Sequence, residues 1–139
     1  LRAYGERENR RLGATLSAVL LWKRRYLICS VGDSRIYLIG RREKRVLTWD
    51  DTDRNGRLTR CIGSMGWYPM QSIKGRLGRG KLLLLCTDGF WRKLQDEEQE
   101  AARKTGGEGE MNMWLERMCV KLRSRGERDD ITAILIRIK

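Results

Sequence analysis

Apolar residues in this chain follow two rhythms, and the change comes just after Asp88. Upstream they form strand-length runs: ATLSAVLLW at 14–22, YLICSV at 26–31, RIYLI at 35–39 and LLLLC at 82–86. Polar joints at Lys23-Arg24-Arg25, Gly32-Asp33-Ser34 and residues 41–44 connect the first three runs to a fourth strand at 45–48, the pattern of an antiparallel meander. The run at 82–86 is apolar at every position. Both of its faces must be covered, so it belongs in the middle of a sheet. Residues 49–57 read as polar loop, residues 58–66 carry no clear element, and residues 70–73 suggest a further strand. The charged residues 1–12 fit the last turns of a helix.

Downstream the spacing turns helical. Asp96-Glu97-Glu98 opens a helix with acids in the first turn, where the dipole favours them, and Gly106-Gly107 closes it. Met111, Trp114, Leu115, Met118, Cys119 and Leu122 then recur as one stripe of a second helix that ends at Gly126. That stripe reads as a core face. Residues 131–138 (ITAILIRI) form a last strand after Asp129-Asp130.

Composition narrows the classes. A length of 139 residues suits a single domain, 1–139, with a real core, and no apolar run is long enough to cross a bilayer. The first residue is Leu1, so a processed product or part of a longer protein is expected. With 30 basic and 18 acidic residues the net charge is +12, which attracts phosphate-bearing or acidic partners without specifying them. The tryptophans Trp22, Trp49, Trp67, Trp91 and Trp114 look distributed through core and loops rather than interleaved with basic residues. A stacking platform for nucleic acid is therefore not expected. The four cysteines form no CxxC pair and there is no histidine, which disfavours a structural zinc site. Cys29 and Cys86, inside apolar strands, read as small core residues in a reducing, cytoplasmic setting.

Three acidic positions share a feature: Asp33, Asp88 and Asp129 or Asp130 each lie at the end of an apolar strand. Asp88-Gly89 fits a sharp turn after a buried strand, and it equally fits a metal ligand. Strand ends can converge on one rim, and carboxylates gathered there repel unless a cation sits among them. Oxygen donors without histidine or thiolate favour a hard ion, Mg²⁺ or Mn²⁺. Three unrelated turns would leave the same pattern.

Taken in order, GATLSAVLL, YLICSVGDSRIYLI, LTWDDT, LTRCIGS, LLLLCTDGFW and GERDDITAILI resemble the metal-dependent protein phosphatase family, PPM type, also called protein phosphatase 2C. The resemblance covers residues 12–139. It implies an α+β fold, a four-layer α-β-β-α sandwich of two antiparallel sheets flanked by helices, with metals at one end. It implies that Asp88 and Asp129 ligate catalytic metal and that Asp33 binds a third, accessory ion. Gly32, Arg35, Gly89 and Asp130 support them, with Arg35 locking its motif. The implied reaction is hydrolysis of phosphoserine or phosphothreonine esters in proteins by water activated between two Mn²⁺ or Mg²⁺ ions, with no covalent phosphoenzyme.

The departures from the family are specific. Its opening region carries an acidic ligand, a phosphate-binding arginine and an Asp-Gly-x-Gly-Gly motif, none of which is in this sequence. Asp50-Asp51-Thr52 stands where members have Asp-His-Ser, the long flap that follows is missing, and Asp129-Asp130 replaces Asp-Asn. The fold is thus expected to be incomplete at its N-terminal side, inactive alone and prone to self-association through an open sheet edge. A catalytically inactive, phosphoprotein-binding module is the alternative, and a basic nucleic-acid-binding protein a weaker one.

Overall fold

A computed structural model of the chain describes residues 2–8, 12–63 and 69–137. In order the elements are α1 (Arg2–Arg7), β1 (Leu16–Trp22), β2 (Arg25–Val31), β3 (Arg35–Ile39), β4 (Lys44–Val46), β5 (Gln71–Arg76), β6 (Leu82–Cys86), α2 (Asp88–Trp91), α3 (Asp96–Lys104), α4 (Glu108–Ser124) and β7 (Ala133–Arg137). They make two antiparallel sheets, β1-β2-β5 and β4-β3-β6-β7, in an α+β fold. The chain divides into two compact units, residues 1–34 with 48–76 and residues 35–47 with 77–139.

In the first unit β1 and β2 form the predicted hairpin, with Lys23 at a positive φ in its two-residue turn. β2 also pairs with β5, where Tyr26 lies opposite Gly75. The tyrosine ring covers that glycine so closely that a Cβ there would collide with it. Small and large residues across a strand pair thus fill one layer.

The second unit is organised on β6, which is buried at all five positions between β3 and β7. Leu82, Leu84 and Cys86 join Tyr37, Ile39, Phe90, Ala102, Trp114, Met118 and Leu122 in one core, so α3 and α4 cover this face of the sheet. Leu83 and Leu85 on the other face are buried as well. The stripe predicted on α4 is the packed one, with Trp114, Met118 and Leu122 deepest. Burial pushes the Cys86 thiol up to about 12, against a smaller downward pull from Arg35. It behaves as an apolar core residue.

The four-strand meander does not form. β1 and β2 belong to one sheet, β3 and β4 to the other, and the Gly32–Ser34 joint is a crossover between them. The free edge of β2 is taken by β5 and that of β3 by β6. The last strand is shorter than predicted, Ala133–Arg137, and Ile138 lies outside the described residues.

Candidate metal centre

The pairing of the second sheet places three strand ends on one rim. Cys86, the last residue of β6, pairs with Ala133 at the start of β7 and with Arg35 at the start of β3. Thr87 extends this rim. Its N–H donates to the Thr132 carbonyl (3.1 Å), and its hydroxyl accepts from the Thr132 N–H (3.1 Å). The same hydroxyl lies 3.2 Å from the Asp130 carbonyl. Residues 87–89 and 129–132 are therefore stitched together.

Asp88 does not occupy a turn. It is the first residue of α2, and Gly89 is the second, so the glycine is not there for a positive φ. Its reason is proximity: a Cβ on Gly89 would stand 2.5 Å from the Asp130 carbonyl oxygen and 3.2 Å from the Asp129 Cβ. Only glycine allows the helix to sit this close to the Asp129-Asp130 backbone, and that approach brings the two aspartates side by side.

The carboxylates are arranged alike. Asp88 Oδ1 accepts the Gly89 N–H (2.9 Å), and Asp129 Oδ1 accepts the Asp130 N–H (2.9 Å). Each keeps Oδ2 for a cation, and that cation is Arg92. Its Nη2 pairs with Asp88 Oδ2, and its Nη1 lies 3.3 Å from Asp129 Oδ2. Behind it, Glu127 Oε1 is 3.9 Å from Nη1. Glu127 is buried and accepts the backbone N–H groups of Asp129 and Arg128 (3.0 Å each). The Asp129 amide, more than any other partner, holds its carboxyl below the usual value, with the cations Lys93 and Arg92 adding to the effect against burial.

Two carboxylate oxygens aimed at one cation are the donor chemistry a hard divalent ion takes. The residues present fit such an ion as part of its shell. Among the described residues no third acidic, cysteine or histidine side chain joins them in a cluster that could hold it.

The other predicted residues fall in both units, Gly32 and Asp33 in the first and Arg35 and Asp130 in the second. Gly32 and Asp33 form the joint after β2 in the first unit. Gly32 adopts φ +106°, and a Cβ there would collide with Thr15, so the position requires glycine. Asp51 holds this joint, accepting the Gly32 N–H at Oδ2 (3.0 Å), while its own N–H donates to the Gly32 carbonyl (3.0 Å). Its Oδ1 pairs with Arg60, which compensates a carboxylate only 3% exposed. Arg35, on the second unit's rim, stacks on Trp91 with its guanidinium carbon 3.4 Å from the ring centroid, and donates to the Tyr37 hydroxyl (3.3 Å). Sequence reasoning missed Arg92, Glu127 and the role of Asp51. The signal for Arg92 was its spacing, one helical turn after Asp88.

Among the described residues the cleft beside Trp22 departs from the expected distribution of tryptophans. Trp91 and Trp114 belong to the core, but Trp22 is 72% exposed at the end of β1, in a cleft of about 390 Å³ with Lys23, Arg24, Arg25 and Arg76. An aromatic ring does stand among basic residues here. Trp67 lies outside the described residues. Single-stranded oligonucleotides are expected to bind weakly, through charge, and to be released as salt approaches the physiological range. Fluorescence titration of wild type and Trp22→Ala checks this. Loss of a sequence-selective, salt-resistant component in the variant would show that Trp22 stacks on bases.

Comparison with known proteins agrees with the fold. The family described as Protein phosphatase 2C matches over residues 2–135. The serine/threonine phosphatase stp of Listeria welshimeri is 26% identical over 155 residues, covering 98% of this chain and 61% of that protein. The chain therefore spans about three fifths of the length of the curated relatives it matches. Among solved structures, the catalytic domain of serine threonine protein phosphatase PstP in complex with 2 manganese ions is 27% identical with a TM-score of 0.75. The match covers 96% of this chain and 63% of that one. Serine/threonine phosphatase Stp1 from Staphylococcus aureus superposes with a TM-score of 0.86 at 21% identity, over 99% and 62% of the two chains, a likeness of fold. Matched along nearly its whole length, the chain belongs to the protein phosphatase 2C family.

Proposed function

We propose that residues 1–139 are the larger part of a single phosphatase domain that hydrolyses phosphoserine and phosphothreonine in proteins with Mn²⁺ or Mg²⁺, in the cytoplasm. The observation that carries this reading is the convergence of Asp88 Oδ2 and Asp129 Oδ2 on one cation at the sheet rim. When bound, divalent ions would supply Lewis acidity and lower the pKa of water. The chain's own residues do the rest. Asp88 and Asp129 hold charge at the rim, Gly89 sets their separation, and Thr87 ties their backbones together. Asp130 adds negative charge beside them. Asp33 serves an accessory ion on the joint that Gly32 and Asp51 shape, and Arg35 is a positioning residue locked on Trp91. Proteins phosphorylated by a serine/threonine kinase suit a chain of net charge +12.

A second reading, a regulatory module that binds phosphoproteins without hydrolysing them, is favoured by Arg92, which lies between the two carboxylates. β1 bears on association in either case. It is an edge strand with Leu20 and Trp22 exposed, a surface that recruits a further strand from a second copy or from the rest of the domain. No helix among the described residues is long and apolar enough to cross a membrane.

One preparation tests these points. Mn²⁺ is expected to raise the melting temperature of the wild type and to leave Asp88→Asn unmoved, because ligand binding stabilises only the protein that binds it. An equal shift in both proteins, or none in either, would sink the metal assignment. The solution mass is expected to exceed that of one chain. Hydrolysis of a phosphothreonine peptide, by the chain alone or after the remainder of the domain is supplied, selects the enzyme over the binding module.

A further inference from the structure

The rim carries a charge arrangement that metal binding by itself does not explain. Asp88, Asp129 and Glu127 all point a carboxylate oxygen at Arg92. The Oδ1 atoms already accept the Gly89 and Asp130 N–H groups, and the two Oδ2 atoms face the guanidinium. A divalent ion ligated by those two Oδ2 atoms would meet Arg92 within a few ångströms. Two cations cannot share that space without strong repulsion, and the carboxylates cannot serve both fully.

Arg92 is also placed so that it can leave. It is the capping residue of a four-residue helix, and its side chain is 44% exposed. Among the described residues its side chain pairs with carboxylates, and ion pairs of exposed side chains hold weakly. The guanidinium can therefore swing into water on its long unbranched stem.

We propose that Arg92 is the resident counter-cation of this centre and the residue that sets its metal affinity. The inference rests on the reading of Asp88 and Asp129 as metal ligands. It has two consequences. Without metal, Arg92 neutralises the rim, so the ligands stay together and the site is preformed. With metal, the ion must displace the guanidinium, so the affinity is lower than the carboxylates alone would give.

The experiment counts bound Mn²⁺ directly, from the electron paramagnetic resonance signal of the free aqueous ion, on the full chain stripped of metal. Arg92→Gln is expected to bind Mn²⁺ about tenfold more tightly than wild type, within the range by which neighbouring groups tune metal affinity. Arg92→Lys keeps the charge but loses the bidentate fork and is expected to fall between them. In chelator, Arg92→Gln is expected to melt below wild type, and saturating Mn²⁺ to close the gap. Should Arg92→Gln prove unfolded in chelator, Arg92→Lys alone decides, by binding more tightly than wild type or not. Equal affinities across wild type and the Arg92 variants, with binding abolished in Asp88→Asn, would overturn the role of Arg92 and leave the metal reading intact. Failure of every variant to bind Mn²⁺ would overturn both.

Discussion

Gly89→Ala is expected to lower stability by about 2–3 kcal/mol, near the upper end for overpacking, and to abolish the response to Mn²⁺. The added methyl meets the Asp130 carbonyl oxygen at 2.5 Å, a backbone atom that cannot rotate away. Either α2 or the Asp129-Asp130 segment must retreat. Retreat breaks the bonds of Thr87 with residues 130 and 132, and it parts Asp88 from Asp129. Denaturant midpoints measure the first effect, and Mn²⁺-dependent melting measures the second. Gly109→Ala is the control. It lies in α4 with nothing within 4 Å, and alanine there is expected to stabilise the helix by roughly 0.5–1 kcal/mol. A Gly89→Ala protein that matched this control would show that the close approach of α2 to Asp130 has no energetic consequence.

The second large effect lies away from the rim. Glu98→Ala is expected to cost about 3 kcal/mol or more, as removal of one partner from a buried ionic group does. The Glu98 side chain is 7% exposed, yet it accepts from Arg125 Nη2 at Oε1 (2.7 Å), Arg125 Nη1 at Oε2 (2.9 Å) and the Gln95 N–H (2.9 Å), with Lys121 Nζ 2.7 Å from Oε1. Arg125 in turn donates to the Lys93 carbonyl (2.8 Å). One carboxylate thus joins the start of α3, the end of α4 and the segment after α2.

Acid should undo the same network. Burial alone would raise the Glu98 carboxyl, but hydrogen bonds from Arg125, Lys121 and the Gln95 amide outweigh it and bring the pKa from 4.5 down to about 2. A lowered folded-state value means that the carboxylate stabilises the fold fully above about pH 4.5. That contribution fades as pH falls toward 2, where the folded form also takes up the proton. It amounts to something on the order of 2 kcal/mol once solvent screening is allowed for. Melting wild type and Glu98→Gln from pH 7 down to pH 2.5 is expected to show a gap that narrows below pH 4.5. A gap that stayed constant across that range would remove the ionised carboxylate as its source.

Several elements were legible from sequence because one residue type at one spacing admits one solution. Five consecutive apolar residues at Leu82–Cys86 need cover on both faces, and β6 is the buried interior strand of its sheet. The stripe through Trp114, Met118 and Leu122 can be buried only on one side of a helix. Asp96-Glu97-Glu98 marks a helix start by charge and dipole alone. Asp88 and either Asp129 or Asp130 read as rim residues because they follow and precede apolar strands, and the close approach of Gly89 to that pair brings Asp88 beside Asp129.

Other features were decided by the tertiary structure, since their causes are contacts between residues far apart in the chain. The choice of β5 over β3 as a partner for β2 is set by packing across a long loop, which no local pattern records. Gly89 reads as a turn glycine until the Asp130 carbonyl is beside it. Glu98 reads as a surface acid suited to a helix dipole until Arg125 and Lys121 arrive from another helix and make its burial tolerable. Arg92 reads as one more basic residue in a chain of net charge +12. Its meaning comes from Asp129 and Glu127, which the closing segment of the chain delivers to the other side of the same guanidinium.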